Sequence, residues 1–189
     1  MITPQNQANK LASAIGLQTP LYLKREDLHP SGSHKGRSIP LMIEHYTRQG
    51  ARDFVISSSG NAALAAAKFV IEHNRADSRF RGNDKLKLSI FVGKKIDDVK
   101  LKGILRFAQD DNRKRVMIRQ VANPKQAAFQ MDKLGRVKNL RQSTDDIALL
   151  GYEELAKELA EIKNLSAVFI PTSSGTTAQG LYEGFKNVQ

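Results

Sequence analysis

Strand-like and helix-like segments alternate along this chain, and their order constrains the fold more than any other feature of the sequence. Short runs of strand-like composition, at Asp53–Ser57, Lys87–Val92 and Val116–Val121, are each followed by a segment with helical periodicity. Strands that alternate with helices of this length need right-handed crossovers and form mostly parallel sheets with helices on both faces. The sequence therefore predicts an α/β fold.

Further elements are predicted between and around these strands. The expected helices are Asn6–Ile15, Lys35–Gln49, Ala62–His73, Asp97–Phe107, Pro124–Leu134, Asp145–Ile162 and a last one that begins at Thr176. Other strands are expected at Leu21–Lys24, Val137–Leu140 and Ala167–Ile170. Pro40 lies inside the second helix, where its ring is expected to bend the axis.

Composition excludes several kinds of site. The 189 residues include no cysteine, which removes disulfides, a thiol nucleophile and thiolate metal sites, and we expect no metal centre. The N-terminus lacks the layout of a signal sequence, and the most apolar stretch, Ala62–Ile71, is short and interrupted by Lys68. We therefore expect a cytoplasmic protein without a membrane partner.

The formal net charge of +11 indicates an anionic partner. Most of the excess lies in two stretches, which contain the segments Arg75–Lys85 and Gly103–Arg113. Each segment holds an Arg-Phe pair followed by Asn-Asp or Asp-Asp, and each interrupts the alternation. We interpret the polar parts of both as surface insertions. The alternative is a duplicated nucleic-acid-binding arm, since each carries an aromatic residue among basic ones.

Three polar turns lie beside a predicted strand end or helix start, where parallel α/β sheets bind ligands: Pro30–Lys35, Ser57–Asn61 and Pro171–Thr177. In the first, Lys35 follows a Ser-Gly-Ser-His turn at a helix start. The unpaired amides and positive dipole end there disfavour an ammonium group and favour the neutral, nucleophilic amine. The alternative is an ordinary solvated lysine.

The second and third turns each open a helix with hydroxyl side chains. Free backbone N–H groups at such helix starts favour a carboxylate or a phosphate. The second turn is equally consistent with a helix N-cap, for which Ser and Asn are common. The third has the composition of a phosphate cradle but lacks the Gly-Lys-Ser or Gly-Lys-Thr of a nucleoside triphosphate loop.

Taken in order, the three turns resemble the pyridoxal-phosphate enzymes of fold type II, the family of threonine synthase, threonine dehydratase, cysteine synthase and tryptophan synthase β-chain. KREDLHPSGSHKGR at Lys24–Arg37 is similar to the cofactor-lysine segment of that family. SSGN at Ser58–Asn61 resembles the loop that binds the substrate carboxylate and the ring oxygen. SSGTTAQG at Ser173–Gly180 resembles the phosphate loop, although Ser173 and Thr176 stand where glycine is usual.

The resemblance implies a role for each matching residue. Lys35 would be the Schiff-base residue and catalytic proton shuttle, with Ser33 and His34 framing the cofactor. Asn61 would bind the ring hydroxyl, and the substrate carboxylate would be bound by Ser58, Ser59 and Asn61. The cofactor phosphate would be held by the loop residues Ser173, Ser174, Gly175, Thr176 and Thr177.

The resemblance also implies an activity and a domain layout. The activity would be that of a pyridoxal 5'-phosphate-dependent lyase or synthase of amino-acid metabolism, acting by elimination or replacement at the β or γ carbon of an amino-acid substrate. Residues 1–50 would begin the large domain, 51–145 would form the smaller α/β domain, and 146–189 would return to the large domain with the phosphate loop.

The chain is much shorter than typical members of that family. We therefore expect a fragment with an incomplete large domain, which acts as a homo-oligomer or with a complementing C-terminal fragment. The alternatives are an inactive remnant and a basic nucleic-acid-binding derivative.

Overall fold

A four-stranded parallel sheet forms the centre of the fold. The computed structural model describes residues 1–76, 85–96, 98–109 and 115–188. The strands are β3 (Asp53–Ser57), β4 (Lys87–Gly93), β5 (Val116–Val121) and β6 (Lys138–Asn139), and they lie side by side in the order β5-β4-β3-β6. All three pairings are parallel. The predicted α/β fold is therefore confirmed.

Helices cover both faces of this sheet. They are α2 (Lys35–Arg48), α3 (Asn61–Ala76), α4 (Asp98–Gln109) and α5 (Pro124–Lys133). Because side chains alternate along a strand, Phe54 and Ile56 of β3 join a core cluster with residues of α2, α3 and α4. Val55 lies between them in sequence and packs on the other face of the sheet, with Phe91 of β4 and Ala128 of α5.

A small hairpin at the N-terminus was not expected from the sequence. β1 (Gln5–Gln7) pairs antiparallel with β2 (Tyr22–Lys24), and the short helix α1 (Asn9–Ala14) lies between them. The helix predicted over Asn6–Ile15 therefore begins too early. The three polar residues of β1 have no local strand signal, and their extended form is stabilised by hydrogen bonds to β2.

The long helix predicted over Asp145–Ile162 is wrong. The chain forms two shorter helices, α6 (Ile147–Leu150) and α7 (Glu153–Ala160), with a break at Gly151. A Cβ at position 151 would lie 2.5 Å from the carbonyl oxygen of Arg37, so this glycine lets the chain pass close to α2. The side chain of Tyr152, fully buried beside the break, holds the turn in place.

The strand predicted at Ala167–Ile170 is also wrong. The segment has no regular secondary structure, and the Phe169 side chain is 88% exposed. Its apolar run is typical of a buried strand, but no strand of the described ranges pairs with it. After this segment, α8 (Thr176–Lys186) begins where predicted and packs against α7 and α6.

Two segments predicted to be insertions are only partly described. Gly103 to Gln109 belongs to α4, and Arg75 and Ala76 end α3, so these parts are regular helix rather than inserted loop. The Arg79-Phe80 pair and the polar ends of both segments lie outside the described residues. Among the helices of the described ranges, none has the length and apolar composition that a bilayer crossing requires.

Candidate functional site

Lys35 is the first residue of α2, as the sequence predicts. Lys35 is half-buried, and its backbone N–H donates a hydrogen bond to the Ser33 hydroxyl at 3.4 Å. Burial lowers the pKa of the Lys35 amine, because a charged ammonium is costly to remove from water. The amine is therefore neutral more often than that of an exposed lysine, which makes it a better nucleophile and base.

The turn at Ser57–Asn61 connects β3 to α3 and faces an open cleft of 430 Å³. Ser58 and Asn61 line this cleft together with Lys35. The Ser58 hydroxyl accepts a hydrogen bond from the Gly60 N–H at 3.2 Å, which fixes the turn. Ser59 is exposed and does not line the cleft, so the structure brings only part of the predicted turn to Lys35.

The turn at Pro171–Thr177 lines a second cavity of 290 Å³, whose other walls are His34 and Lys35. Gly175 precedes α8 with a φ of 80°, a left-handed conformation that favours glycine. The Ser174 and Thr176 hydroxyls lie 2.9 Å apart and share a hydrogen bond. Hydroxyls and the first-turn N–H groups of an eleven-residue helix therefore border this cavity.

Lys35, Ser173 and Ser174 line both cavities, so all three predicted turns meet at one lysine. His34 is half-buried, and its ring centroid lies 6.2 Å from that of Tyr152. Burial, together with the charge of Lys35, lowers the pKa of His34 and favours its neutral form near pH 7. Ser33 is buried and lines neither cavity; it contacts the backbone of Lys35.

A fourth segment of the site was not found from the sequence. The 3₁₀ turn Gln142–Thr144 and Arg141 before it follow β6, and the first three residues of this segment line the 430 Å³ cleft. Gln142 donates from its side-chain amide to the Ser38 hydroxyl at 2.8 Å. The one available signal was positional, because this turn follows a strand parallel to β3 and so lies at the same sheet edge.

Arg37 is a second residue that sequence reasoning missed. Its side chain is 2% exposed and makes ion pairs with Glu26 and Glu158 at 2.8 Å each. These bonds connect the start of α2, two residues after Lys35, to the segment after β2 and to α7. Arg37 thus anchors the helix turn that presents the lysine.

The residues at the second cavity fit the phosphate of a cofactor. Five hydroxyl side chains, the backbone N–H groups around Gly175 and the positive end of α8 are the donors from which a phosphate accepts hydrogen bonds. The amine that would bond to the cofactor borders the same cavity. Phosphate donors and an amine, the two kinds of group that pyridoxal phosphate needs, therefore line the same cavity.

Parts of the chain are similar in sequence to known proteins. Residues 2–69 match the family model of the pyridoxal-phosphate dependent enzymes. A human serine dehydratase-like protein is 39% identical over 67 residues, which are 35% of this chain and 20% of that protein. A threonine synthase of Methanocaldococcus jannaschii is 23% identical over 195 residues, covering 99% of this chain and 43% of that enzyme.

Solved structures extend the likeness to the whole chain. A pyridoxal 5'-phosphate-dependent aspartate racemase superimposes with a TM-score of 0.79 at 22% identity, over 100% of this chain and 55% of the racemase. The processed form of threonine deaminase isoform 2 from Solanum lycopersicum superimposes with a TM-score of 0.75 at 20% identity, over 98% of this chain and 47% of the deaminase. This chain thus spans about half the length of these proteins. Residues 2–69 thus resemble the pyridoxal-phosphate dependent enzymes, and the chain has the fold type II architecture of these solved structures.

Proposed function

We propose that this chain is the cofactor-binding part of a pyridoxal phosphate-dependent lyase or synthase that acts on amino acids with a leaving group on the side chain. One observation carries the proposal. The half-buried Lys35 borders both the cleft at the Ser58–Asn61 turn and the cavity at the phosphate-type turn. The proposal covers elimination and replacement at the β or γ carbon.

The residues of the second cavity would hold the cofactor phosphate. These are Ser173, Ser174, Gly175, Thr176 and Thr177, which present hydroxyls and backbone N–H groups at the start of α8. Asn61 would donate to the ring oxygen, since its amide offers two donors. Ser33 and His34 would frame the cofactor beside Lys35. When bound, pyridoxal phosphate supplies an electron sink for negative charge at the α-carbon of an amino acid.

The chain's own residues would hold the substrate and move its α-proton. Ser58 and Asn61 would bind the α-carboxylate at the start of α3, with Ser59 at the rim, because helix N-termini favour anions. The neutral amine of Lys35 would then remove the proton from the α-carbon. The lowered pKa of this amine serves that step, since a base must be unprotonated to accept a proton.

The proposal includes a domain division. Residues 51–145 would form the smaller domain, because all four strands of the parallel sheet fall within this range. Residues 1–50 and 146–189 would belong to the larger domain. The direct contact of α2 with α6 supports this pairing of the two ends of the chain. We place this protein in the cytoplasm as part of the same proposal.

The larger domain would be completed by a separate polypeptide. An apolar groove of 630 Å³, lined by Ile170, Leu181 and Phe185 among others, lies beside the exposed Phe169. An apolar surface of this kind is typical of an interface. Since the related structures are about twice as long as this chain, we propose that a polypeptide equivalent to their remaining part covers the groove.

The test of the cofactor site is covalent capture. The purified chain is incubated with pyridoxal phosphate, reduced with sodium borohydride and mapped by mass spectrometry. The adduct is expected on Lys35 and is lost in Lys35→Ala. Lys125→Ala is the matched control, because Lys125 lines the same cleft. An adduct that forms equally on Lys125, or none in the wild-type chain, would contradict the proposal.

The test of the partner is mixing and sizing. The chain is combined with the C-terminal part of the Methanocaldococcus jannaschii threonine synthase that lies beyond its match, and molar mass is measured by light scattering. A one-to-one complex is expected, weakened by Phe169→Ser and unchanged by Phe129→Ser, an exposed phenylalanine on α5. A dimer of this chain alone that Phe169→Ser disrupts would show that a second copy fills the groove instead.

A further inference from the structure

The walls of the 430 Å³ cleft carry positive charge and no negative charge. Besides Lys35, two cationic residues line it: Lys125 at the start of α5 and Arg141 after β6. Among the described residues that form its walls, there is no aspartate and no glutamate. The other side chains that line the cleft are uncharged: some are apolar, and the rest carry an amide or a hydroxyl group. The electrostatic potential of the cleft therefore favours an anion.

Neither cation is neutralised within the described part of the chain. The Nε atom of Arg141 donates to the Ser143 hydroxyl at 3.3 Å, a bond that leaves its charge uncompensated. No described carboxylate lies within ion-pair distance of Arg141 or of Lys125. Arg141 and Lys125 are exposed, whereas the buried Arg37 and the partly buried Lys24 pair with carboxylates.

The substrate carboxylate alone does not account for these two cations. In the proposed function, that group is bound by the Ser58–Asn61 turn at the start of α3. The cofactor phosphate is assigned to the other cavity, which neither Lys125 nor Arg141 lines. Two positive groups therefore remain in the cleft without an assigned anion.

We infer that the substrate amino acid carries a second anionic group on its side chain, a carboxylate or a phosphate, and that Arg141 and Lys125 bind it. This inference rests on the proposed function. A guanidinium forms two parallel hydrogen bonds with either anion, and an ammonium adds a point charge. Lys125 follows β5 and Arg141 follows β6, so both come after the carboxyl ends of parallel strands and line one cleft.

The experiment compares amino acids that differ only in this charge. The chain loaded with pyridoxal phosphate is titrated by calorimetry with L-aspartate against L-asparagine, and with O-phospho-L-serine against L-serine. The charged member of at least one pair is expected to bind about tenfold more tightly or better. The pair with the larger ratio identifies the carboxylate or the phosphate. Added salt is expected to weaken binding of the charged member only.

Substitutions assign the effect to the two cations. Arg141→Gln and Lys125→Gln are each expected to reduce the charged-to-neutral ratio about tenfold and to leave the neutral ligand unaffected. Arg136→Gln, an exposed arginine that does not line the cleft, is the control and is expected to change neither. Equal affinity within both pairs, or loss of both ligands in Arg141→Gln, overturns the inference. Absence of a borohydride-trapped adduct on Lys35 overturns the proposed function instead.

Discussion

Replacement of Arg37 by methionine is expected to destabilise the fold strongly. The guanidinium donates to Glu26 twice at 2.8 Å, to Glu158 at 2.8 and 3.2 Å, and to the Thr3 hydroxyl at 3.2 Å. The Glu26 and Glu158 side chains are only 15% and 6% exposed. Methionine keeps the length of the side chain but leaves two carboxylates buried without their main partner.

The size of the loss follows from this geometry. Removing one partner of a buried ion pair costs about 3–5 kcal/mol, because the remaining charge stays out of water without compensation. Lys24 still pairs with Glu158, which limits the loss there, but among the described residues Glu26 keeps only the Thr3 hydroxyl and the charge of His29. We therefore expect Arg37→Met to lower the free energy of unfolding by about 3 kcal/mol or more at neutral pH.

The deficit is expected to depend on pH. In the wild-type chain, burial acts to raise the pKa of Glu26 and of Glu158, but hydrogen bonds, chiefly from Arg37, outweigh it and hold both below 4.5. Such carboxyls stabilise the fold fully above that value, and the stabilisation is lost as pH falls through the folded pKa. Without Arg37 the folded pKa values rise, so protonation of the variant relieves the buried charge. The deficit should shrink as pH is lowered toward 4.5.

Urea denaturation followed by circular dichroism at several pH values measures these differences. The triple variant Arg37→Met with Glu26→Gln and Glu158→Gln is expected to recover part of the loss, since it removes the uncompensated charges. Lys186→Met breaks an exposed pair with Glu183 and should leave stability unchanged. A loss below about 1 kcal/mol, or a deficit that is constant with pH, would refute the reasoning.

Three substitutions and one chemical modification test local features of the fold and site. Gly180→Ala places a Cβ 2.7 Å from the Tyr152 ring and should lower the free energy of unfolding by about 1–3 kcal/mol. Gly103→Ala, in open space within α4, should raise it by about 0.5–1 kcal/mol. Both are measured by urea denaturation. Asn123→Ala removes the side-chain N-cap of α5 and should cost about 1 kcal/mol, visible as a lower melting temperature; an unchanged one would contradict the cap. Competitive acetylation against pH should show Lys35 reacting with a lower midpoint than an ordinary lysine, because burial lowers its pKa; an ordinary midpoint would contradict this.

Local sequence signals were sufficient where an element is stabilised by its own composition. The bounds predicted for β3 and β5 agree with the structure, because each is a short run rich in β-branched residues. The predictions failed where a distant segment decides the conformation. β1 is extended only because β2 pairs with it, and the helical pattern after Asp145 breaks where Gly151 packs against α2.

The candidate site shows the same division. The three turns were found because glycine and hydroxyl residues at helix starts are visible in the sequence itself, and the structure brings residues of all three to Lys35. Arg141 and Gln142 carry no such local signal. They reach the cleft because β6, only two residues long, lies parallel to β3. The sequence predicts a strand at Val137–Leu140, which contains β6, but the neighbour with which so short a strand pairs is determined by the rest of the sheet.

The apolar run at Ala167–Ile170 connects these observations. Its composition is that of a buried strand, yet in the described ranges no strand accepts its backbone hydrogen bonds, and Phe169 projects into solvent. The next residues form the turn that borders the phosphate-type cavity, so an unpaired segment directly supports that turn. A polypeptide that paired with it would bury Phe169 and also restrain Ser173 and Ser174. Affinity for the cofactor should therefore rise when the groove is covered, which connects the proposed partner to the proposed chemistry through one stretch of backbone.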